Sequence, residues 1–183
     1  MDKKTIEEYI ILTGITKEQN KKLDEIGYYT APASKGHHLS QEGGLVIHCS
    51  NVTKRLIQLT ETLGVEWPRE ESPYLVGMLH DLVKCRCYEM DGINAEDGTP
   101  TWKYTQPLYP GHGSCSVAIA NELGIVLKPE EIAAITYHMG LYGVGKEYSD
   151  KEFDNAIRTK GSHILATIYA DWYAARIDEE LKA

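Results

Sequence analysis

The chain has 183 residues, with 19 Lys and Arg against 27 Asp and Glu, a net charge of −8. That acidity excludes a bulk nucleic-acid binder, which needs a basic footprint, and no apolar run of about 18 residues is present to span a membrane. The length fits one domain over 1–183 with its own core, and twelve Tyr against one Phe predict much half-buried, partly wet surface.

In chain order, residues 2–13 predict a short amphipathic helix ending near Gly14, and Thr16 can cap a second helix reaching Gly27. The Met1-Asp2-Lys3-Lys4 start leads into the Ile6/Tyr9/Ile10 pattern rather than a secretion signal, so a cytoplasmic protein is expected. Residues 28–43 read as loop, carrying Ala31-Pro32-Ala33 and Gly36-His37-His38. From Gly44 the series Leu45, Val46, Cys49, Val52, Leu56, Leu59, Leu63 is helical, and Gly64 stops it. Ser72-Pro73 predicts a cap and a Pro at the first helical position, opening a helix that carries Leu75, Val76, Leu79 and Leu82. Over 85–110 the period is lost, and Asp91-Gly92, Asp97-Gly98, Trp102 and Tyr104 fit a long loop or a small hairpin. Further helices are expected at 113–123, 129–139, 150–158 and from about 161 to 181. No strand ladder of sheet size appears, so the fold class is all-α. Cys49, Cys85, Cys87 and Cys115 read as buried thiols, because Cys85-Arg86-Cys87 lacks the spacing usual for zinc.

Polar residues interrupt the apolar faces at a few places. His48 lies three after Leu45 and four before Val52, His80-Asp81 follows Val76-Gly77-Met78-Leu79, and His138 lies three after Ile135. Asp171 falls three after Ile168 and seven after Ile164, on the stripe expected to be buried. A buried carboxylate is costly unless it is paired or binds a metal. Together with His112, these residues come from five segments and combine imidazoles with carboxylates, a donor set for Fe, Mn, Co, Ni or Zn. Six ligands are too many for one catalytic ion with open positions, and suit two ions bridged by one carboxylate.

At these residues the chain resembles the HD superfamily of metal-dependent phosphohydrolases, whose pattern is H…HD…H…H…D on a helical bundle. It reads here as Gly44-Leu45-Val46-Ile47-His48, Met78-Leu79-His80-Asp81-Leu82-Val83-Lys84, Pro110-Gly111-His112-Gly113-Ser114, Ile135-Thr136-Tyr137-His138-Met139-Gly140 and Tyr169-Ala170-Asp171. The resemblance covers roughly 31–178, with 1–30 as a helical extension. The segment from His37 to Leu45 is similar to the region before the first ligand in exoribonuclease-type members. Val83 replaces the glycine of HDxGK while Lys84 is kept, and the GYP motif of cyclic-di-GMP phosphodiesterases is absent.

The resemblance implies an HD-type helical bundle. His48, His80, Asp81 and Asp171 would hold a first divalent ion, and His112 and His138 a second, with Asp81 bridging. Fe or Mn is favoured, ahead of Co, Ni or Zn. The implied reaction is hydrolysis of a phosphate ester of a small nucleotide or related metabolite by metal-activated hydroxide. Asp81 and Lys84 would be catalytic, with Lys84 reaching a phosphate oxygen or the leaving group. Ser34, Lys35, His37 and His38 could close over a phosphate or form only a surface loop. Tyr104, Tyr137 and Tyr142 could line a base or sugar pocket or fill the core, with Tyr137 the leading candidate. Alternatives are a diiron oxygenase of an organic substrate, a short-RNA or cyclic-nucleotide phosphodiesterase, and a non-catalytic nucleotide sensor. Expected partners are a small phosphorylated substrate and neither long nucleic acid nor membrane. The Tyr-rich surface is also compatible with a homodimer.

Overall fold

The computed structural model describes residues 3–36, 39–96, 98–105 and 111–179. Among these residues it contains helices α1 (Lys3–Leu12), α2 (Lys17–Glu25), α3 (Gly44–Leu63), α4 (Ser72–Leu79), α5 (His112–Glu122), α6 (Pro129–Thr136) and α7 (Asp150–Tyr173). One antiparallel hairpin joins β1 (Tyr88–Ile93) to β2 (Pro100–Tyr104). The mainly helical class is as expected, and the hairpin alternative for 85–110 holds. Asp91-Gly92 is not its turn: Asp91 bulges between paired Met90 and Gly92 inside β1. Among the described residues no helix is long and apolar enough to cross a membrane.

The hydrophobic period of α3 makes it the spine. It packs on α4, α7 and α1, while α6 lies against α7, α5 and α4. Leu45 and Cys49 join Leu23, Tyr28, Leu75, Leu79 and Ile119 in one apolar cluster. Val52 and Leu56, two turns further along, join Val76, Ile135, Ala166 and Ala170 in the other. Each such leucine is fully buried, a gain of about 1.5–3 kcal/mol apiece. The stripe ends early: Leu63 is 59% exposed.

Ends of elements follow local chemistry in part. Thr16 accepts from Gln19 N–H, and the Gln19 side chain returns to the Thr16 N–H, so α2 begins with a capping box. Ser72, however, is not a cap. It is the first residue of α4, and its hydroxyl donates to Glu131 Oε1 at 2.7 Å. That fully buried carboxylate also accepts from Arg69 Nε at 2.7 Å and Nη2 at 2.8 Å. Leu82 leaves the helix too, because the chain tightens into a 3₁₀ turn over Leu82–Arg86. The two helices expected at 150–158 and 161–181 run as one, kinked where Lys160 departs from helical geometry (φ −135°, ψ 27°). Past Tyr173 the helix widens into a π-turn over Ala174–Asp178, with Glu179 N–H bonded to Ala174 O at 3.1 Å.

Candidate metal centre

Six side chains from five segments converge. His48 comes from the second turn of α3, and His80 caps the C-terminus of α4 with Asp81 immediately after it. His112 opens α5, His138 lies two residues past α6, and Asp171 comes from α7. Asp81 is at the middle. Its Oδ2 is 3.4 Å from both His48 Nε2 and His80 Nε2. Its Oδ1 is 2.6 Å from His112 Nε2 and 3.5 Å from His138 Nε2. Asp171 Oδ1 approaches His48 Nε2 at 3.2 Å and His80 Nε2 at 3.9 Å.

The ring orientations have identifiable causes. His80 donates from Nδ1 to Gly77 O at 2.9 Å, and His138 from Nδ1 to Ile135 O at 2.6 Å. Each uses the carbonyl three residues earlier, left exposed where its helix ends. His48 donates from Nδ1 to Glu179 Oε1 at 3.0 Å. A proton held on Nδ1 leaves the lone pair on Nε2, so three imidazoles present acceptors to one point. His80 Nε2 is buried and has no hydrogen-bond partner among the described residues. A buried acceptor without a donor is costly, and a cation at that point would satisfy it. The buried cluster could hold a metal ion. Three groups of donor atoms, each lying within 4.8 Å of one another, are His48-His80-Asp81, His80-His138-Asp171 and Asp81-His112-His138. The donor set fits a first-row divalent ion.

Two glycines permit the approach. A Cβ on Gly77 would stand 2.4 Å from Thr53 Oγ1 and 2.7 Å from Thr53 Cα, so α4 can lie this close to α3 only without one. A Cβ on Gly113 would stand 2.3 Å from Ile135 O, and its absence lets α5 begin beside the end of α6. The His112 and His138 rings are consequently 5.4 Å apart.

Charge is concentrated here. Burial pushes the Asp81 carboxyl up, but Lys84 and then His80 pull harder and hold it well below the usual carboxylate range. Burial also opposes the charge on Lys84, yet Asp81 raises its ammonium above the ordinary lysine value. Burial lowers His80. The 3₁₀ turn, with about three residues per turn, aligns Lys84 with Asp81 rather than with His80. Nζ lies 2.6 Å from Asp81 Oδ2, so Lys84 is not a solvated surface cation.

An open cleft of about 410 Å³ gives access to the cluster. Lys84, Met139, Tyr142, Trp172 and Arg176 line it together with ligand candidates. Of the residues expected to touch substrate, Lys84 and Tyr142 line this cleft. Ser34 is buried, and Lys35 lines a separate hollow with Ser40 and Trp102. Tyr137 packs edge-on to Tyr148 at 4.7 Å, and is not among the cleft-lining residues, whereas Tyr142 is. Tyr104 packs on Tyr88 in the hairpin. His37 and His38 lie outside the described residues. Sequence reasoning missed Glu179, which also accepts from Asn51 Nδ2 at 3.0 Å, and the cleft residues Trp172 and Arg176. Among the described residues no cysteine joins a metal-capable group. Burial instead pushes the Cys85 thiol up to about 12 and Cys87 to about 11, away from the thiolate that metals need.

Comparison with protein-family models, curated proteins and solved structures gives no match.

Proposed function

We propose that this protein is a metal-dependent phosphohydrolase of the HD type, acting on a small phosphorylated metabolite at a two-ion centre. One observation carries the reading: Asp81 turns one carboxylate oxygen to His48 and His80 and the other to His112 and His138. A carboxylate with a pair of imidazoles on each side suits a bridge between two ions. His48, His80 and Asp171 would complete one ion's ligands, and His112 and His138 the other's. When bound, such ions supply an acidified water and a Lewis-acid hold on phosphoryl oxygens.

The chain's own residues have separate tasks. Gly77 O and Ile135 O hold the His80 and His138 rings with Nε2 inward. Lys84 brings a fixed positive charge to the cleft wall beside Asp81, where an anionic ester would enter. In a protein with a net charge of −8, attraction for phosphate depends on such local cations.

The test begins with metal analysis of protein purified without added metal. A panel of nucleotides, phosphodiesters and sugar phosphates follows, with Mn- and Fe-loaded protein. Release of phosphate or monophosphate is expected. Asp81→Ala is expected to lose both metal and turnover, and Lys84→Ala to keep metal while slowing turnover at least tenfold. Metal-loaded protein that is silent on the whole panel would reject the reading, and oxygen uptake with an organic substrate would replace it with a diiron oxygenase.

A further inference from the structure

Beyond the cleft, the outer face of α7 carries a second cavity. Tyr169, Trp172, Tyr173, Arg176 and Ile177 fall at i, i+3, i+4, i+7 and i+8, which puts them on one side of the helix and its π-turn. Large apolar groups there stay in water: Tyr169 is 58% exposed and Trp172 51%. Singly this would be ordinary, but here they line one cavity of about 420 Å³. Opposite them stand Arg55, Gln58 and Leu59 of α3.

The cavity and the metal cleft share two walls, Trp172 and Arg176. Trp172 directly follows Asp171 in sequence, and its ring packs on Tyr142 of the cleft with centroids 6.0 Å apart. A ligand with its anionic end at the cluster therefore meets this ridge first and the aromatic cavity next.

We propose that this cavity is the subsite for the planar ring of a nucleoside phosphate whose phosphate reaches the His/Asp cluster. The proposal rests on the phosphohydrolase reading and specifies its substrate class. Tyr169 and Trp172 offer stacking surfaces for a flat heteroaromatic ring, an interaction that tolerates any base. Arg55 already lies over the Tyr173 ring, 4.1 Å from its centroid, held there by two hydrogen bonds to Asp178. It is thus a fixed guanidinium in the cavity wall. Gln58 Oε1 accepts from Arg55 Nη1 at 3.0 Å, which leaves the Gln58 amide N–H₂ as a donor for the edge of a ring. Arg176 stands between the two compartments, where a phosphate or ribose would cross. A purely lipidic ligand would not need this cationic and amide lining, and a sugar phosphate would leave the aromatic side bare.

The experiment is calorimetric titration of the purified, metal-characterised chain with AMP, GMP, adenosine and ribose 5-phosphate, alongside Tyr169→Ala and Trp172→Ala. Saturable binding of AMP or GMP is expected, tighter than ribose 5-phosphate by tenfold or more. Both variants should weaken nucleotide binding tenfold or more, and Tyr169→Ala, which lies outside the cleft lining, should leave ribose 5-phosphate binding within twofold. Equal affinity for nucleotide and ribose 5-phosphate, or nucleotide binding indifferent to both substitutions, would overturn the subsite. So would a dimer in sedimentation that Tyr169→Ala dissociates, since the face would then be an interface between copies. The two readings separate cleanly: nucleotide binding here without hydrolysis of any ester removes the hydrolase and keeps the subsite. Hydrolysis with no preference for a ring does the reverse.

Discussion

Glu179 is the residue on which the orientation of His48 depends. Its carboxylate is buried, and it accepts from His48 Nδ1 and from Asn51 Nδ2. A carboxylate behind a ligating imidazole fixes the tautomer and raises the basicity of Nε2, and loss of such a partner commonly costs about 10–100-fold in metal affinity. Glu179→Ala is expected to weaken Mn binding by a factor in that range, read by titration of metal-free protein, with Glu179→Gln recovering part of it. Unchanged affinity in both variants would make Glu179 a packing residue only. Five of the ligand candidates were legible because a His or Asp on an apolar face has to be accounted for chemically, whereas His112, between Gly111 and Gly113, stood out only through the resemblance. Glu179 was not legible, because Asp178-Glu179-Glu180 reads as solvated charge and its partner lies 131 residues away. The same limit applies to Tyr137, whose neighbours Tyr148 and Phe153 claim its ring in a way adjacency to His138 could not reveal.

At the scale of elements, three of the ligand positions sit at helix ends: His80 after α4, His112 at the start of α5 and His138 after α6. Small shifts of whole helices therefore move ligands. Gly77→Ala tests this coupling, since the added methyl meets a backbone atom, Thr53 Cα, that cannot move alone. Overpacking of this kind costs about 1–3 kcal/mol. A lower urea midpoint should appear together with weaker metal binding. A variant with wild-type midpoint and affinity would mean that α3 and α4 separate without consequence. Element starts and stops were well read where the signal is local, as at Thr16, Gly44 and Gly64. They were misread where a distant group intervened. Ser72 has the chemistry of a cap, but Glu131 takes its hydroxyl from 59 residues away. The break near residue 160 was visible as a gap between two helices, yet the kink at Lys160 is mild enough for α7 to continue through it.

For the molecule as a whole, the Arg69–Glu131–Ser72 group is the polar tie between the start of α4 and the first turn of α6. Its carboxylate has no exposure to water, and removing a partner leaves buried charge uncompensated, at about 3–5 kcal/mol. Arg69→Ala should lower unfolding free energy by roughly that amount in urea titration, and a loss under about 1 kcal/mol would show that water replaces the guanidinium. The mainly helical class was legible throughout, because hydrophobic period is a property of each segment alone. Which helices meet was not, because α3 serves both apolar clusters with one continuous stripe.

The 131-residue span from His48 to Glu179 has a kinetic consequence. Closing so long a loop is entropically slow, and no local segment of the unfolded chain holds more than a fraction of the ligand set. An ion captured by the finished centre would therefore add little to the speed of folding. It would act on the reverse step, as a bolt that must be drawn before the helices can part.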